Sequence, residues 1–156
     1  MILKLRQRLA QEESGFTLVE LLVVMLILGI LAAIAIPAFF SQSEKAKDAD
    51  AKNNVKSAQT AMESFATDNN GTYLHVGGAN DGQAVTAAEL KASYEPTLDD
   101  TTLTITVPAA GDSYTIVGDS PDTGNTFTAT RAANGDQTYS CTDPGNAGCP
   151  EGGDRW

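Results

Sequence analysis

A chain of 156 residues has room for one ordinary domain and at most one extra element. Its hydrophobic content of 42% is that of a folded protein rather than a disordered one. Its formal net charge of −10 would repel a phosphate backbone, so the composition disfavours nucleic-acid binding. The apolar residues dominate residues 16–40, whereas the chain beyond Asp68 is rich in Gly, Thr, Asn and Asp.

The first predicted element is the apolar segment 16–40, in which Glu20 is the only charged residue. About 20 apolar residues are enough to cross a bilayer as a helix. A plain transmembrane anchor leaves Glu20 unexplained. A secretory signal peptide would use the basic residues before the segment and a cleavage site after the Ala-Ile-Ala sequence at 33–35. Against that interpretation, Glu12 and Glu13 stand between the basic residues and the apolar segment.

A third interpretation comes from the junction at residues 14–20, which reads Ser-Gly-Phe-Thr-Leu-Val-Glu. It resembles the cleavage and assembly signature of type IV prepilins and pseudopilins. The resemblance implies that prepilin peptidase removes residues 1–15 as a leader by cutting after Gly15. It also implies that Phe16 becomes the first residue and is N-methylated.

The resemblance extends to about residue 45 and includes Gly29 and Pro37, which stand where pilins commonly have these residues. It also implies a role for Glu20 in assembly and register. A carboxylate in hydrocarbon costs roughly 3 kcal/mol unless it is paired. In a filament Glu20 could pair with the α-amino group of Phe16 on a neighbouring subunit. The alternative is that Glu20 snorkels to the headgroups, since it lies near the membrane edge.

The helix is predicted to continue past the apolar segment to about Thr67, because residues 41–67 are good helix formers without Gly or Pro. Pro37 and Gly29 are expected to kink or weaken this helix rather than end it. The second half carries an apolar stripe at helical spacing: Ala51, Val55, Ala58, Met62 and Phe65. Its charged residues balance in sign, as on a solvated helix face.

The helix is expected to end at residues 68–71, where Asn and Gly can adopt the left-handed conformation of a C-cap. A calcium loop there would lack the EF-hand spacing. A short helix is predicted over 86–93, with Thr86 and Glu89 as its capping box. His75, the single histidine, is expected to be a solvated loop residue rather than a metal ligand. The Asn-Gly-Thr sequence at 70–72 leaves glycosylation open.

Strands are predicted after residue 100 from alternating residues separated by turn signals. Three of them are residues 101–107, 113–117 and 126–130, and residues 137–141 are the candidate for a fourth. Three or four antiparallel strands covered by the apolar helical stripe give an α+β fold. Residues 119–125 are interpreted as a turn, with a calcium loop of the kind found in pseudopilins as the alternative. The domains are thus a leader 1–15, a transmembrane half-helix 16–40 and a globular head 41–156.

Two cysteines, Cys141 and Cys149, lie close together near the C-terminus. In an exported protein such a pair forms a local disulfide, whereas in a cytosolic protein it would be two free thiols. Because the N-terminus indicates export, the disulfide is predicted; it resembles the disulfide-bounded region of many pilins. The sequence contains no catalytic serine frame, P-loop or dinucleotide fingerprint, so no enzyme, cofactor or metal site is predicted.

These patterns together predict a structural subunit of a type IV pilus. The implied partners are identical subunits, prepilin peptidase and the inner-membrane assembly machinery. The precursor would lie in the cytoplasmic membrane and the product in an extracellular filament. A pseudopilin of a type II secretion system is the nearest alternative. A minor pilin or DNA-uptake receptor would need Lys91 or Arg131 to offset the acidic charge locally.

Overall fold

The computed structural model describes residues 15–156, so the predicted leader lies outside the described residues apart from Gly15. Its elements in chain order are α1 Leu18–Asp68, α2 Ala87–Ser93, β1 Leu103–Thr106, β2 Tyr114–Asp119, β3 Thr126–Arg131 and β4 Gln137–Cys141. The chain separates into two compact units, one ending at Phe40 and the other comprising Ser41–Trp156. The second unit is called the head below.

The first unit contains the apolar part of α1. The helix continues through Gly29 and Pro37 without interruption, and the kink expected at these residues stays a prediction. Every residue from Leu18 to Phe40 is exposed in the isolated chain. By length and composition this part of α1 could cross a bilayer, a property it shares with signal sequences.

The core of the head forms where the second half of α1 meets the sheet. The predicted apolar stripe is buried: Ala51, Val55, Ala58, Met62 and Phe65 are all at most 7% exposed. Ala61 and Ala66 widen the buried face. Burying such a stripe stabilises a helix by about 25 cal/mol for each Å² of apolar surface removed from water. Because this buried stripe packs against the sheet, the predicted α+β fold is confirmed.

The four strands form an antiparallel sheet in the order β1-β2-β3-β4. Alternate residues of the central strands face the core, and the directly opposed Ile116 and Ala129 are both fully buried. Strand β2 runs to Asp119, two residues beyond its predicted end. It includes Gly118, where a Cβ atom would collide with the Val55 side chain. The absence of a side chain at Gly118 lets α1 lie close to the sheet.

Two local predictions around the connecting segment are confirmed. Helix α1 ends at Asp68, and Asn70 and Gly71 follow with φ of 57° and 85° in the left-handed region. Thr86 caps α2: its side chain accepts from the Glu89 N–H, and the Glu89 carboxylate accepts from the Thr86 N–H. The end of α1 and the capping box of α2 each depend on residues a few positions apart, which explains why the sequence pattern predicted both.

His75 is a loop residue as predicted, but it is less solvated than expected, with 22% of its side chain exposed. Its ring lies edge-on to Phe65, with ring centroids 5.0 Å apart, and its Nε2 is 3.4 Å from Glu89 Oε1. The connecting segment folds back over the end of the α1 stripe, and this brings the histidine against the core. The neighbouring glycines indicate a loop, but they do not show whether another segment covers the histidine side chain.

Candidate functional site

The first candidate site is the start of α1, where Thr17 and Glu20 form a second capping box. The Thr17 N–H and hydroxyl each donate to Glu20 Oε2 at 3.0 Å. The Glu20 N–H donates to Thr17 Oγ1 at 3.2 Å. Sequence reasoning missed Thr17, although a Thr followed three residues later by Glu is the same signal that identified Thr86 and Glu89. Glu20 therefore also has a structural role at the helix start.

The capping box leaves half of the Glu20 carboxylate available. Within residues 15–156, Oε1 of Glu20 makes no hydrogen bond. The residues at the predicted cleavage site, Gly15 and Phe16, precede the helix, and Phe16 is 81% exposed. Among the described residues, the junction before α1 is thus exposed and one carboxylate oxygen of Glu20 has no hydrogen-bond partner.

A second site lies in the head around Asp48, which is fully buried. Its Oδ1 accepts a hydrogen bond from the Thr123 hydroxyl. Its Oδ2 accepts from Asn125 Nδ2 at 2.7 Å and from the Gly148 N–H at 2.8 Å. Burial by itself would raise the pKa of Asp48, but these hydrogen bonds outweigh it and hold the pKa below its ordinary value of 3.8. The buried carboxylate is therefore ionised and joins three segments of the head.

The placement of Asp48 corrects the prediction that the charges of this helical stretch lie on a solvated face. The turn at 119–125 and the C-terminal loop fold over α1 at this point and exclude water from the carboxylate. In the same turn Asp122 pairs with Lys47 at 3.3 Å, while Thr123 and Asn125 face Asp48. Within residues 15–156, no three His, Cys, Asp or Glu side chains come together as metal ligands.

The two cysteines lie next to the Asp48 site. The structure joins Cys141 to Cys149 in a disulfide, with their Cα atoms 5.9 Å apart. Gly148, which precedes the second cysteine, has no room for a side chain, because a Cβ there would lie 2.5 Å from Asp48 Cβ. Its carbonyl oxygen accepts from Lys52 Nζ. The disulfide therefore holds the residue that contacts α1.

The chain end covers the last strand. The Cys141 N–H donates to the Gly153 carbonyl at 2.8 Å, and Trp156 Nε1 donates to the Ser140 carbonyl at 2.8 Å. The Trp156 ring packs edge-on against Phe127 with centroids 5.4 Å apart. These contacts occupy part of the outer edge of β4, which would otherwise present unpaired backbone groups.

Replacing both cysteines by serine is expected to destabilise the head by about 2–3 kcal/mol, from the entropy of closing a short loop. The loss should appear first as faster proteolysis of the segment 142–156, because the disulfide anchors its beginning. Limited proteolysis of the full chain in detergent micelles, followed by mass analysis, measures this. Two free thiols titrated in unfolded protein from native cells would contradict the disulfide itself.

A third cluster ties α1 to the sheet through Glu63. Its carboxylate accepts from the hydroxyls of Tyr73 and Tyr114 at 3.0–3.1 Å and from Arg131 Nε at 3.0 Å. Burial and the nearby Glu63 carboxylate raise the pKa of Tyr73 to about 12. Lys91, like Arg131, forms an ion pair: its Nζ lies 2.6 Å from Asp100 Oδ1. Both cations that a nucleic-acid receptor would need are thus already paired within the head.

Comparisons with known proteins agree with the features at the N-terminus. The model of the prokaryotic N-terminal methylation motif matches residues 11–36. The type IV major pilin protein PilA of Myxococcus xanthus is 48% identical over 58 residues, which are 37% of this chain and 26% of that protein. The type II secretion system core protein G of Pseudomonas aeruginosa is 42% identical over 59 residues, 38% of this chain and 42% of that protein.

A longer alignment joins the chain to the type II secretion system core protein G of Escherichia coli. It is 30% identical over 92 residues, which are 56% of this chain and 61% of the relative. The alignments therefore span from about a quarter to about three-fifths of the relatives' own lengths. No solved structure matches the chain. The methylation motif and these relatives support membership of the type IV pilin and pseudopilin superfamily.

Proposed function

We propose that the chain is a structural subunit of a type IV pilus, not an enzyme, and that it polymerises through the apolar part of α1. The observation that carries this proposal is the helix from Leu18 to Phe40, which is apolar except for Glu20 and exposed along its whole length. Such a surface needs lipid before assembly and the helices of other subunits afterwards. The named pilin relative supports this function.

The partners follow from the same proposal. Prepilin peptidase would cut after Gly15, and the inner-membrane assembly machinery would move the trimmed subunit from the bilayer into the filament. The precursor would lie in the cytoplasmic (inner) membrane and the filament outside the cell. Identical subunits would contact one another through α1, with Glu20 of one meeting the amino group of Phe16 of the next.

A pseudopilin of a type II secretion system is the second candidate, and one observation favours it: the alignment that extends farthest along the chain among those described is to core protein G. The Cys141–Cys149 disulfide favours the pilus, because it resembles the region that a disulfide bounds in many pilins. Electron microscopy of sheared surface material decides between them. Long surface filaments in which mass analysis identifies this chain would support the pilus. If these filaments disappear when the type II secretion system is deleted, the result would support the pseudopilin.

A minor pilin or DNA-uptake receptor is disfavoured by the charge of −10 and by the pairing of Lys91 and Arg131. Binding of duplex DNA by the full chain in micelles at low salt would support it. Because binding through phosphates weakens steeply with salt, the same measurement repeated at higher salt separates weak general attraction from a built site.

The trimmed chain is expected to begin at N-methylated Phe16. The reason is that the Gly15–Phe16 junction precedes the apolar segment, so that the segment stays in the product. Intact-mass analysis and N-terminal sequencing of protein from native cells measure this. A product that begins at Ile36, after the Ala-Ile-Ala sequence, would show a secreted soluble domain and would contradict the filament proposal.

A further inference from the structure

Two parts of the head that are distant in sequence share one buried carboxylate. The turn between β2 and β3 contributes Thr123 and Asn125, and the disulfide loop contributes the Gly148 N–H. All three donate to Asp48, and Asn125 also donates to the Asn146 carbonyl at 3.4 Å. The turn therefore contacts the disulfide loop both directly and through Asp48.

The disulfide ties Gly148 to the end of β4. Cys149 is bonded to the end of β4 through Cys141, and Gly148 is its immediate neighbour. Within the loop the Cys149 N–H donates to the Asn146 carbonyl at 2.9 Å. The loop reaches α1 through the two backbone groups of Gly148, which contact Asp48 and Lys52. Without the S–S bond these two contacts, the Asn125–Asn146 hydrogen bond and the hydrogen bonds within the loop would have to order it against its chain entropy.

We propose that Asp48 makes the turn between β2 and β3 sensitive to the redox state of Cys141 and Cys149. A dithiol reductant breaks the S–S bond, supplies two electrons and two protons, leaves two thiols and itself becomes a cyclic disulfide. Gly148 then leaves, so Asp48 loses one hydrogen-bond donor and also the loop that excluded water from it on that side. Water that reaches the carboxylate competes with the Thr123 and Asn125 donors, so the turn between β2 and β3 loosens.

The loosened turn would change a surface of the head. Ser120, Pro121 and Asp122 form one wall of an open groove of about 370 Å³, whose other wall includes Lys47 and Asp50 of α1. The Thr123 side chain joins this wall to the site, because its hydroxyl donates to Asp48 and lies 2.9 Å from Ser120 Oγ. Only the oxidised chain would present this wall in an ordered form. The inference concerns the head alone and holds for a pilus or a pseudopilus subunit.

Hydrogen–deuterium exchange of the full chain in detergent micelles tests the proposal. The turn has its own reporters, since the Ser120 N–H donates to the Asn125 carbonyl and the Gly124 N–H to the Ser120 carbonyl, both at 2.8 Å. We expect dithiothreitol to speed exchange in peptides covering 120–125 by about ten-fold in the wild type. In Asp48→Asn the turn should exchange fast before reduction, and reduction should change it less than about two-fold.

Matched variants separate this coupling from general loosening. Asp50→Asn makes the same change two residues away at an exposed position and should respond as the wild type does. Gly148→Ala keeps the disulfide but places a Cβ against Asp48, so it should speed exchange of the turn without reduction. This variant and the reduced wild type decide the matter even if Asp48→Asn does not fold.

Three results would overturn the proposal. One is faster exchange confined to residues 141–153 on reduction, with the turn unchanged. Another is a full ten-fold response to reduction in Asp48→Asn, which would mean that the signal does not pass through Asp48. The third is an equal loss of protection in α2, which lies apart from this site, because reduction would then unfold the whole head.

Discussion

Glu20→Gln is expected to leave the chain inserted in the membrane and trimmed after Gly15, but to lower the filament yield by about ten-fold or more. Glutamine keeps the size of the side chain and an oxygen that can accept from Thr17, so the capping box and the start of α1 should survive. What is lost is the charge that would pair with the Phe16 amino group of a neighbour. Each factor of ten in an equilibrium corresponds to about 1.4 kcal/mol, well within the reach of an ion pair in a water-poor helix bundle.

The measurement compares sheared filaments with membrane-held subunits in the two strains. Glu44→Gln is the matched control, because it makes the same change at an exposed position of α1 within the head. Thr17→Ala is the opposite control: it should cost about 1 kcal/mol at the helix cap but keep the Glu20 charge. If Glu20 served only the cap, Thr17→Ala would impair assembly and Glu20→Gln would assemble normally.

Asp48→Asn is expected to destabilise the head by about 3 kcal/mol at neutral pH. An amide cannot accept from Thr123, Asn125 and Gly148 together, because one of its two polar atoms is itself a donor. At least one buried donor would then lose its partner. Urea unfolding of the full chain in micelles, followed by near-ultraviolet circular dichroism, measures the difference.

The difference in stability between wild type and Asp48→Asn should become smaller as the pH falls. The pKa of Asp48 in the folded chain lies below its ordinary value of 3.8, so the native state favours the ionised form. The stability gained from that ionisation is fully present above about pH 4 to 5 and is lost as the pH falls through the folded pKa. Wild type and Asp48→Asn should therefore converge in stability at acid pH.

Asp50→Asn serves as the control here too and should change stability by less than about 0.5 kcal/mol, since its side chain is exposed. A loss of similar size in both variants would show that the helix tolerates asparagine poorly and that the buried site contributes little. A difference between wild type and Asp48→Asn that stays constant down to acid pH would show that Asp48 is not ionised in the folded chain.

Much of the architecture could be predicted from the sequence because the signals are local. The apolar stripe from Ala51 to Phe65 follows from helical periodicity, and the Asn and Gly residues after Asp68 mark the helix end. The capping box of Thr86 and Glu89 is a pattern of four residues. Each strand alternates within its own span. Such patterns act between residues a few positions apart, so the tertiary structure retained them.

The N-terminal site was also within reach of the sequence, although for a different reason. The junction around Gly15 and Phe16 and the single charge at Glu20 stand out because the surrounding residues are uniformly apolar. The roles proposed for these three residues rest on the resemblance to type IV prepilins and pseudopilins. Thr17 was missed, but its capping pattern was readable.

Only the tertiary structure decided which charged residues are buried. Asp48 lies at the edge of the α1 stripe, where periodicity does not say whether water or another segment covers it. Its partners Thr123, Asn125 and Gly148 are 75, 77 and 100 residues away. Glu63 likewise meets Tyr114 across 51 residues. A helical position determines the direction of a side chain, whereas the segment that meets it depends on how the sheet and the disulfide loop pack over α1.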